Sequence, residues 1–376
     1  MNPPTWVEIS KSALLSNIAL YKNVLHPTTI LAPVIKSNAY GHGLVEVASI
    51  LDKSSLVGYL CVVSLSEALI LRAQGITKPI LVLSILDNDL QQAIVHDIDL
   101  VLYDQATAIQ LNNLAQALKK NSNVHIKIDT GLSRLGVFYE EAELFIKKIK
   151  TLSNLTIKGI FSHFAASERS DLAFSHLQIE RLNTLIKNLE KDNITIPFKH
   201  ISCSGAVTSL PQSHYNFVRL GISTYGLWSS VESKIRAQTI HPPFNLKPVM
   251  EWKTKVIARK TLPDQSFIGY DCTYQTAMTT ETAVLPIGYF DGYERHLSNQ
   301  AIVKIKNKYF PIRGRIAMNL CIVDVSTMPN ITIGDEVTLL GDDALLNAQT
   351  LADMCLTINY EIVSRINPLI PRIIVA

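Results

Sequence analysis

The stretch LAPVIKSNAYGHG (31–43) joins an apolar run of strand length to a polar, glycine-containing loop through a single lysine, Lys36. A lysine at the mouth of a buried strand is held by a rigid element while its amine faces a cavity. A desolvating wall lowers the pKa of such an amine and frees its lone pair, as a Schiff-base lysine requires. A lone lysine is more often a solvated strand end, so the rest of the chain must decide between the two readings.

Short apolar runs rich in β-forming residues alternate with helical patterns up to about residue 228. In the segment 105–120, for example, Leu111, Leu114, Ala115 and Leu118 lie at i, i+3, i+4 and i+7. Strands that alternate with helices form a parallel sheet, because a parallel connection needs a crossover. About eight such units predict a closed, TIM-like (β/α)8 barrel, and the dinucleotide fingerprint of an open Rossmann sheet is missing. The eight runs are 30–35, 60–63, 80–83, 100–102, 124–128, 157–161, 198–201 and 217–220.

The texture of the sequence changes beyond about residue 235, where polar and turn-forming residues become frequent. Residues 229–248 are polar and contain His241-Pro242-Pro243, as a linker does. Short alternating runs separated by turns follow, with one helical stretch among them. We therefore predict an α/β chain of two domains: a (β/α)8 barrel over residues 1–235 and a mainly β domain over residues 236–376.

The composition argues against several classes of protein. The 376 residues carry a formal charge of +3 with no block of like charges, so no nucleic-acid partner is expected. The five cysteines are scattered without CxxC spacing, so neither a disulfide framework nor a metal site is expected. The N-terminus lacks a signal pattern and the longest apolar stretch is far too short for a membrane span. We therefore expect a cytoplasmic protein without a membrane partner.

Polar residues stand at the carboxyl ends of the predicted barrel strands, where this fold carries its chemistry. Ser204, Gly221 and Ile222 follow the seventh and eighth runs, the usual place for a phosphate site. Arg219 interrupts the apolar run 217–220, where an unpaired arginine would be costly to bury. A Schiff-base lysine and a phosphate cradle on one rim favour a phosphorylated aldehyde as the cofactor. The other polar residues at strand ends are Lys36, Lys127, Asp129 and His163.

The loop VIKSNAYGHG (34–43) closely resembles the cofactor-lysine segment of the alanine racemases, which use pyridoxal 5'-phosphate (PLP). Further segments resemble the same family from one end of the chain to the other, so chance is a poor explanation. The resemblance implies a fold type III isomerase that interconverts L-alanine and D-alanine and supplies D-alanine for peptidoglycan. The further segments are FIGYDCTY (267–274), LPIGYFDGY (285–293), GRIAMN (314–319) and TINYE (357–361).

The resemblance implies two catalytic bases, Lys36 and Tyr270. Racemisation removes a proton from one face of Cα of the cofactor-bound alanine and delivers one to the other face, so two bases are the simplest arrangement. A tyrosine with an ordinary pKa of about 10 is a poor base unless positive neighbours lower it. His163 and Arg219 are the candidates for that effect. In the family this tyrosine enters the site from the partner subunit, which implies a homodimer with shared active sites.

Further roles are implied position by position. Arg219 would face the pyridine nitrogen of PLP and, since a guanidinium cannot accept a proton, would keep the ring a weak electron sink. Arg134 would bind the carboxylate of alanine, and Lys127 aligns with a lysine that is often carbamylated and then orients that arginine. The remaining implied contacts are Tyr40, His163, Ser204, Gly221, Ile222 and Tyr360 with the cofactor and Met318 with the substrate.

Three positions depart from the pattern of the family. Asn319 stands where aspartate is usual, Cys203 where asparagine is usual, and Leu369 where an arginine is common. None of them is one of the two implied bases. They bear on the electrostatics of the substrate entrance and on substrate preference rather than on the reaction.

Four other functions fit less of the sequence. A PLP decarboxylase of the same architecture typically pairs the pyridine nitrogen with a carboxylate, and Arg219 argues against it. A class I aldolase would need neither Tyr270 nor Arg219, and a non-catalytic PLP carrier would need only the barrel. A broad-specificity amino-acid racemase stays open, although Tyr360 and Met318 would crowd a long side chain.

Overall fold

The computed structural model describes residues 4–376, which divide into two compact units. The barrel unit comprises residues 15–37 and 48–246, and the β unit comprises residues 4–14, 38–47 and 247–376.

The strands of the barrel unit and of the β unit share one numbering along the chain. The strands are β1 (Thr5–Ser10), β2 (Ile30–Pro33), β3 (Leu60–Ser64), β4 (Ile80–Ile85), β5 (Asp99–Leu102), β6 (Ser122–Asp129), β7 (Val137–Phe138), β8 (Leu155–Phe161), β9 (Phe198–His200), β10 (Phe217–Leu220), β11 (Met250–Lys255), β12 (Ala258–Leu262), β13 (Thr280–Leu285), β14 (Ile302–Ile305), β15 (Lys308–Pro311), β16 (Cys321–Asp324), β17 (Glu336–Leu340) and β18 (Arg372–Val375). The helices are α1 (Lys11–Lys22), α2 (Lys36–Tyr40), α3 (Leu44–Asp52), α4 (Leu65–Ala73), α5 (Leu90–Val95), α6 (Gln105–Ala117), α7 (Ala142–Lys150), α8 (Ala173–Lys191), α9 (Ser204–Val207), α10 (Val231–Ile240), α11 (Ala348–Met354) and α12 (Asn359–Ser364).

Eight parallel strands build the barrel unit. Six of them lie side by side in the order β3-β4-β5-β6-β8-β9, and β10 pairs in parallel with β2. The two groups meet on both sides: the N–H of Ile35 donates to the carbonyl of Cys61 at 2.8 Å, and the N–H of Arg219 donates to that of Ser202 at 3.2 Å. The predicted (β/α)8 barrel is confirmed, and each of the eight predicted runs overlaps one of these strands.

The barrel helices each bury one apolar face. In α6, Ala108, Leu111 and Ala115 are buried, and the side chain of Asp104 caps the first turn by accepting a backbone N–H. The helix ends at Ala117, three residues before the predicted end, because its last turn is closed by capping bonds rather than continued. Among residues 4–376, none of the helices has the length and apolarity needed to cross a membrane.

The β unit contains two sheets, of order β15-β14-β17-β11-β1-β18 and β12-β13-β16. Its mainly β character agrees with the prediction. The predicted boundary differs from the observed units, because β1 pairs antiparallel with β11 and parallel with β18. Val7 and Ile9 of β1 are fully buried. Residues 4–14 therefore belong with the end of the chain, a long-range pairing that no local pattern announces.

Candidate active site

Lys36 opens a left-handed turn just beyond β2. The four residues Ser37 to Tyr40 all have φ between 52° and 55°, a region that costs L-residues about 1–2 kcal/mol each. The carboxylate of Glu67 holds the turn: Oε1 accepts the N–H of Ser37 at 2.6 Å and Oε2 accepts that of Val63 at 2.9 Å. A strained backbone that is pinned in this way fixes the residue that carries the amine.

Lys36 is one of several positively charged side chains that interact within the barrel unit. Burial lowers the pKa of the Lys36 amine, and the Arg134 guanidinium lowers it further. Burial also lowers the pKa of Lys127 to about 8, helped by the charges of Arg219, Arg134 and Lys36 and opposed by Asp129. Positive charge is therefore in excess here, and the site favours an anionic ligand.

Arg219 is a buried guanidinium on β10, only 4% exposed. Its Nη2 donates to the carbonyl of Ser162 at 2.7 Å, and its Nη1 donates to Nδ1 of His200 at 2.6 Å. The guanidinium carbon lies 5.2 Å from the centroid of the Phe161 ring. The carbonyl of Ser162 is uncharged. Burial lowers the pKa of His200 well below its ordinary value, so this second partner is uncharged too. Arg219 therefore keeps its full positive charge available for a further acceptor.

Ser204, Gly221 and Ile222 come together as predicted from their strand ends. The Oγ of Ser204 accepts the N–H of Gly221 at 2.9 Å and that of Ser223 at 3.3 Å. Ser204 is the first residue of α9, and Ile222 starts a 3-10 helix. The buried hydroxyl of Ser202 has no hydrogen-bond partner among residues 4–376. Hydroxyl and backbone N–H donors gathered in this way suit a phosphate.

These donors fit PLP, the cofactor implied by the resemblance. The amine of Lys36 can condense with an aldehyde when it is uncharged, and its lowered pKa favours that state. Arg219 can donate a hydrogen bond to the ring nitrogen of PLP, and its guanidinium cannot be deprotonated. The hydroxyl and N–H groups near Ser204 match the phosphate. Each functional part of PLP thus has a group of suitable chemistry.

Tyr40 and Tyr360, two predicted cofactor contacts, are neighbours in the β unit, with ring centroids 6.1 Å apart. The loop after Tyr40 is held by Arg372, whose Nε and Nη2 donate to the carbonyl of Gly41 at 3.0 and 2.9 Å. Gly41 has a φ of +85°, and a Cβ there would collide with the carbonyl of Val363. The geometry of this pair therefore depends on a glycine and a half-buried arginine.

Tyr270 begins a 3-10 helix, Tyr270–Cys272, in the β unit and is 68% exposed. The next residue, Asp271, has a φ of 59° and forms ion pairs with Arg315 at 3.4 Å and Arg295 at 3.6 Å. Gly269 has a φ of +75°, and a Cβ there would lie 2.9 Å from the backbone nitrogen of Arg315. The loop is held on both sides while its tyrosine projects outward.

His163 corrects one expectation about this tyrosine. It was a candidate for a positive neighbour of Tyr270, but burial and the charge of Arg219 together lower its pKa to about 3. Its Nδ1 lies 3.4 Å from Nη2 of Arg219. His163 is therefore a neutral neighbour of Arg219 and has no charge to lend, which leaves Arg219 as the candidate cation.

Glu67 and His200 were not predicted from the sequence. The segment Ser64-Leu65-Ser66-Glu67 has the form of a capping box, and Ser64 Oγ does accept the N–H of Glu67 at 3.2 Å. The signal announces the start of α4 but not that the carboxylate reaches Ser37. His200 lies within the predicted strand 198–201 and ends β9, and a histidine at that place could have been noticed as an inward-facing group.

The departures from the family pattern have local partners. The Sγ of Cys203 lies 3.4 Å from the hydroxyl of Ser167. Burial raises the pKa of Asp291, and a hydrogen bond from Asn319 favours its charged form. An aspartate at position 319 would place two carboxylates together, so Asn319 suits its neighbour. Leu369 and Met318 are exposed.

Two family models match the chain. The model "Alanine racemase, N-terminal domain" matches residues 9–229, and "Alanine racemase, C-terminal domain" matches residues 249–374. Among curated relatives, the alanine racemase of Methanococcus maripaludis is 37% identical over 375 residues, covering 98% of both chains. That of Desulfovibrio desulfuricans is 38% identical over 373 residues, covering 99% of this chain and 98% of the relative.

Solved structures agree with these matches. The alanine racemase of Clostridium difficile 630 superposes with a TM-score of 0.93 at 33% identity, covering 100% of this chain and 96% of that one. The alanine racemase of Bacillus anthracis with bound L-Ala-P superposes with a TM-score of 0.89 at 30% identity, with the same coverage.

Proposed function

The chain belongs to the alanine racemase family, and from this membership we propose how its own residues interconvert L-alanine and D-alanine. The reaction is a PLP-dependent isomerisation, and its D-alanine is a building block of peptidoglycan. The observation that carries the proposal is the electropositive site around Lys36, whose amine has a lowered pKa. A cytoplasmic location is part of the proposal.

The cofactor contacts are assigned to the groups with matching chemistry. Bound through the amine of Lys36, PLP supplies an electron sink that acidifies the Cα–H of alanine. Arg219 donates to the ring nitrogen and keeps it unprotonated. The other proposed contacts are Ser204, Gly221 and Ile222 with the phosphate and Tyr40, His163 and Tyr360 with the rest of the cofactor.

Lys36 and Tyr270 are the two bases that move the proton. Each faces one side of Cα, so that one takes a proton while the other returns one. Arg134 binds the carboxylate of alanine and fixes which face each base meets, and Met318 limits the size of the side chain. The side chain of Tyr270 is exposed, which supports a role in an active site that its own neighbouring residues do not form. We propose that it serves the cofactor of a second copy of this chain in a homodimer.

Lys127 is a candidate for carbamylation. Its pKa of about 8 leaves part of the amine uncharged near neutral pH, so its lone pair can attack CO2 while a proton leaves to solvent. The carbamate would carry a negative charge among Lys36, Arg134 and Arg219, whose positive charges now lower that pKa. It would thereby orient Arg134 for the carboxylate of alanine.

An assay of optical activity tests the function itself. The purified holoenzyme should destroy the optical activity of L-alanine, and do so faster than that of L-serine or L-lysine. Equal rates for all three would favour the runner-up, a broad-specificity amino-acid racemase. A non-catalytic PLP carrier would leave all three unchanged, and that alternative leaves the matched C-terminal domain without a purpose.

Borohydride reduction should fix the cofactor on Lys36. Reduction traps PLP on the amine that holds it, and Lys36 combines a lowered pKa with a pinned backbone. Peptide mapping of the reduced protein should find the label on the peptide that contains Lys36. Lys158, a partly exposed lysine of the same unit, is the internal control. Label on any other lysine, or none, would refute the assignment.

Mixing two inactive variants should restore activity if the sites are shared. Lys36→Ala removes one base and Tyr270→Ala removes the other, so a mixed dimer would hold one site with both bases intact. Activity should reappear after subunit exchange and should track the heterodimer fraction measured by native mass spectrometry. A mixture that contains heterodimers yet stays inactive would contradict the shared-site arrangement.

A further inference from the structure

A chain of buried polar side chains runs through the barrel unit from Arg219 to Asp99. Nη1 of Arg219 is 2.6 Å from Nδ1 of His200, whose Nε2 is 2.9 Å from Nδ1 of His125. Nε2 of His125 lies 3.5 Å from Oδ2 of Asp99 and has no closer hydrogen-bond partner among residues 4–376. All four side chains belong to residues that are at most 4% exposed. They come from β10, β9, β6 and β5.

Arg219 forces the direction of proton donation along this chain. A guanidinium can only donate, so Nδ1 of His200 must accept and its proton must lie on Nε2. That proton points to Nδ1 of His125, whose own proton then lies on Nε2 and faces Asp99. A carboxylate only accepts, so it ends the chain with the polarity that fits. Both hydrogen bonds therefore donate away from Arg219, and the last N–H faces the carboxylate of Asp99 at 3.5 Å.

A positively charged imidazole would break this order. A protonated histidine carries a proton on both nitrogens, so two N–H groups would face each other at 2.9 Å or 2.6 Å. Burial lowers the pKa of both His125 and His200, and the charge of Arg219 lowers both further; at His125 the opposing effect of Asp99 does not reverse the shift. The two imidazoles are therefore neutral links between a cation and an anion.

The surroundings are shaped to hold the two imidazoles. Phe161 stacks on His200 with ring centroids 4.8 Å apart, and Phe198 stacks on His125 at 6.0 Å. Gly159 leaves room for the second ring, because a Cβ there would collide with Nδ1 of His125. The chain thus lies in an apolar sheath, where electrostatic interactions are strong.

Asp99 is held charged at the far end. The hydroxyl of Tyr59 donates to its Oδ2 at 3.0 Å, and Nζ of Lys158 lies 3.5 Å from the same oxygen. Burial opposes ionisation of Asp99, but the hydrogen bond of His125, the charge of Lys158 and the hydrogen bond of Tyr59 lower its pKa. None of the hydrogen-bond partners of Arg219 among residues 4–376 is a carboxylate.

We propose that Asp99 is the remote counter-charge of Arg219 and a positioning residue for the reaction, acting through His125 and His200. Its negative charge polarises the two imidazoles toward Arg219 and weakens the guanidinium as a hydrogen-bond donor. Losing that charge makes Arg219 a stronger donor to the ring nitrogen and the ring a deeper electron sink. Only this last step rests on the proposed function, since the tautomers are a property of the protein alone.

The first test determines the tautomers and needs no turnover. NMR of the holoenzyme labelled with 15N-histidine should show His125 and His200 uncharged, each with its proton on Nε2, throughout the neutral pH range. Variants with glutamine at each position assign the signals. A proton on Nδ1 of either ring, or a charged ring, overturns the proposal while leaving racemase activity unaffected, so the two failures are distinguishable.

The second test separates the charge of Asp99 from its role as an acceptor. Asp99→Asn keeps an acceptor oxygen and removes the charge, so the tautomers should persist. The ratio of side transamination to racemisation should rise by about two- to thirtyfold, the range seen for mutations along coupled networks. The KM for alanine should stay constant. Asp97→Asn is the matched control, because Asp97 is exposed and forms an ion pair with Lys120 at 3.5 Å. An unchanged ratio overturns the proposal, as does a fall in both rates together.

A third variant disturbs the chain without removing a polar group. Gly159→Ala should push His125 away from His200, abolish the tautomer preference of His125, and raise the same ratio. Gly341→Ala is its control, because a Cβ there would meet the flexible side chain of Glu251 at 3.1 Å. A folded Gly159→Ala protein with parental tautomers and a parental ratio would contradict the role of the chain, even if Asp99→Asn failed to fold.

Discussion

Replacing Tyr270 by phenylalanine is expected to abolish proton abstraction from L-alanine while leaving exchange from D-alanine partly intact. Each proposed base serves one face of Cα, so removing one hydroxyl removes one direction of abstraction. The loss should be about 10²- to 10⁴-fold, the usual contribution of a positioned acid or base. Incorporation of solvent deuterium into each enantiomer, measured separately by NMR, reads the two faces.

The control for this variant lies in the same loop. Tyr274 stacks against Arg313, with the guanidinium carbon 4.7 Å from the ring centroid, and Tyr274→Phe keeps that contact. It should exchange both enantiomers at the parental rate. Equal loss of exchange from both enantiomers in Tyr270→Phe, with PLP still bound, would mean that Tyr270 has no role specific to one face.

The barrel could be predicted because its signals are local. Each parallel strand is buried on both faces and is written as a short apolar run, as in β5 and β10, where every residue is buried. The first strand of the chain could not be predicted, because its pairing is long-range rather than local. Thr5–Ser10 pairs with Met250–Lys255, and nothing near residue 5 identifies a partner so far along the chain.

The site could be predicted as far as strand ends and motifs reach. Lys36, Ser204 and Arg219 could be proposed as site residues because barrel chemistry collects at one end of the strands. Glu67 was missed because its contact with the N–H of Ser37 depends on a left-handed turn. The neutrality of His163 was also hidden, because it follows from burial and from Arg219, neither of which is visible in a motif.

The candidate site carries an excess of positive charge that calls for a bound anion. The charge of Arg134 lowers the pKa of both Lys36 and Lys127, and without an anion the three positive charges repel one another. A phosphate, a substrate carboxylate and a carbamate would each relieve that repulsion. Charge repulsion therefore destabilises the site in addition to the strained backbone, and ligand binding is expected to stabilise the fold.

Replacing Arg219 by glutamate should change the reaction most deeply. Arg219 can only donate a proton, whereas a carboxylate accepts one, so the variant would favour a protonated pyridine ring and a deeper electron sink. The carbanion at Cα should then persist, and side transamination to pyruvate should rise. The activation free energy of racemisation should increase by about 3–4 kcal/mol, as when one preorganised donor is lost. Pyruvate release and racemisation, measured on the same PLP-loaded sample, give both rates. The control is Arg236→Glu. Arg236 lies in α10 and its guanidinium donates to the carbonyl of Arg169 at 2.8 Å, so this variant should leave the two rates unchanged. Racemisation at the parental rate without extra pyruvate in Arg219→Glu would reduce Arg219 to a structural group.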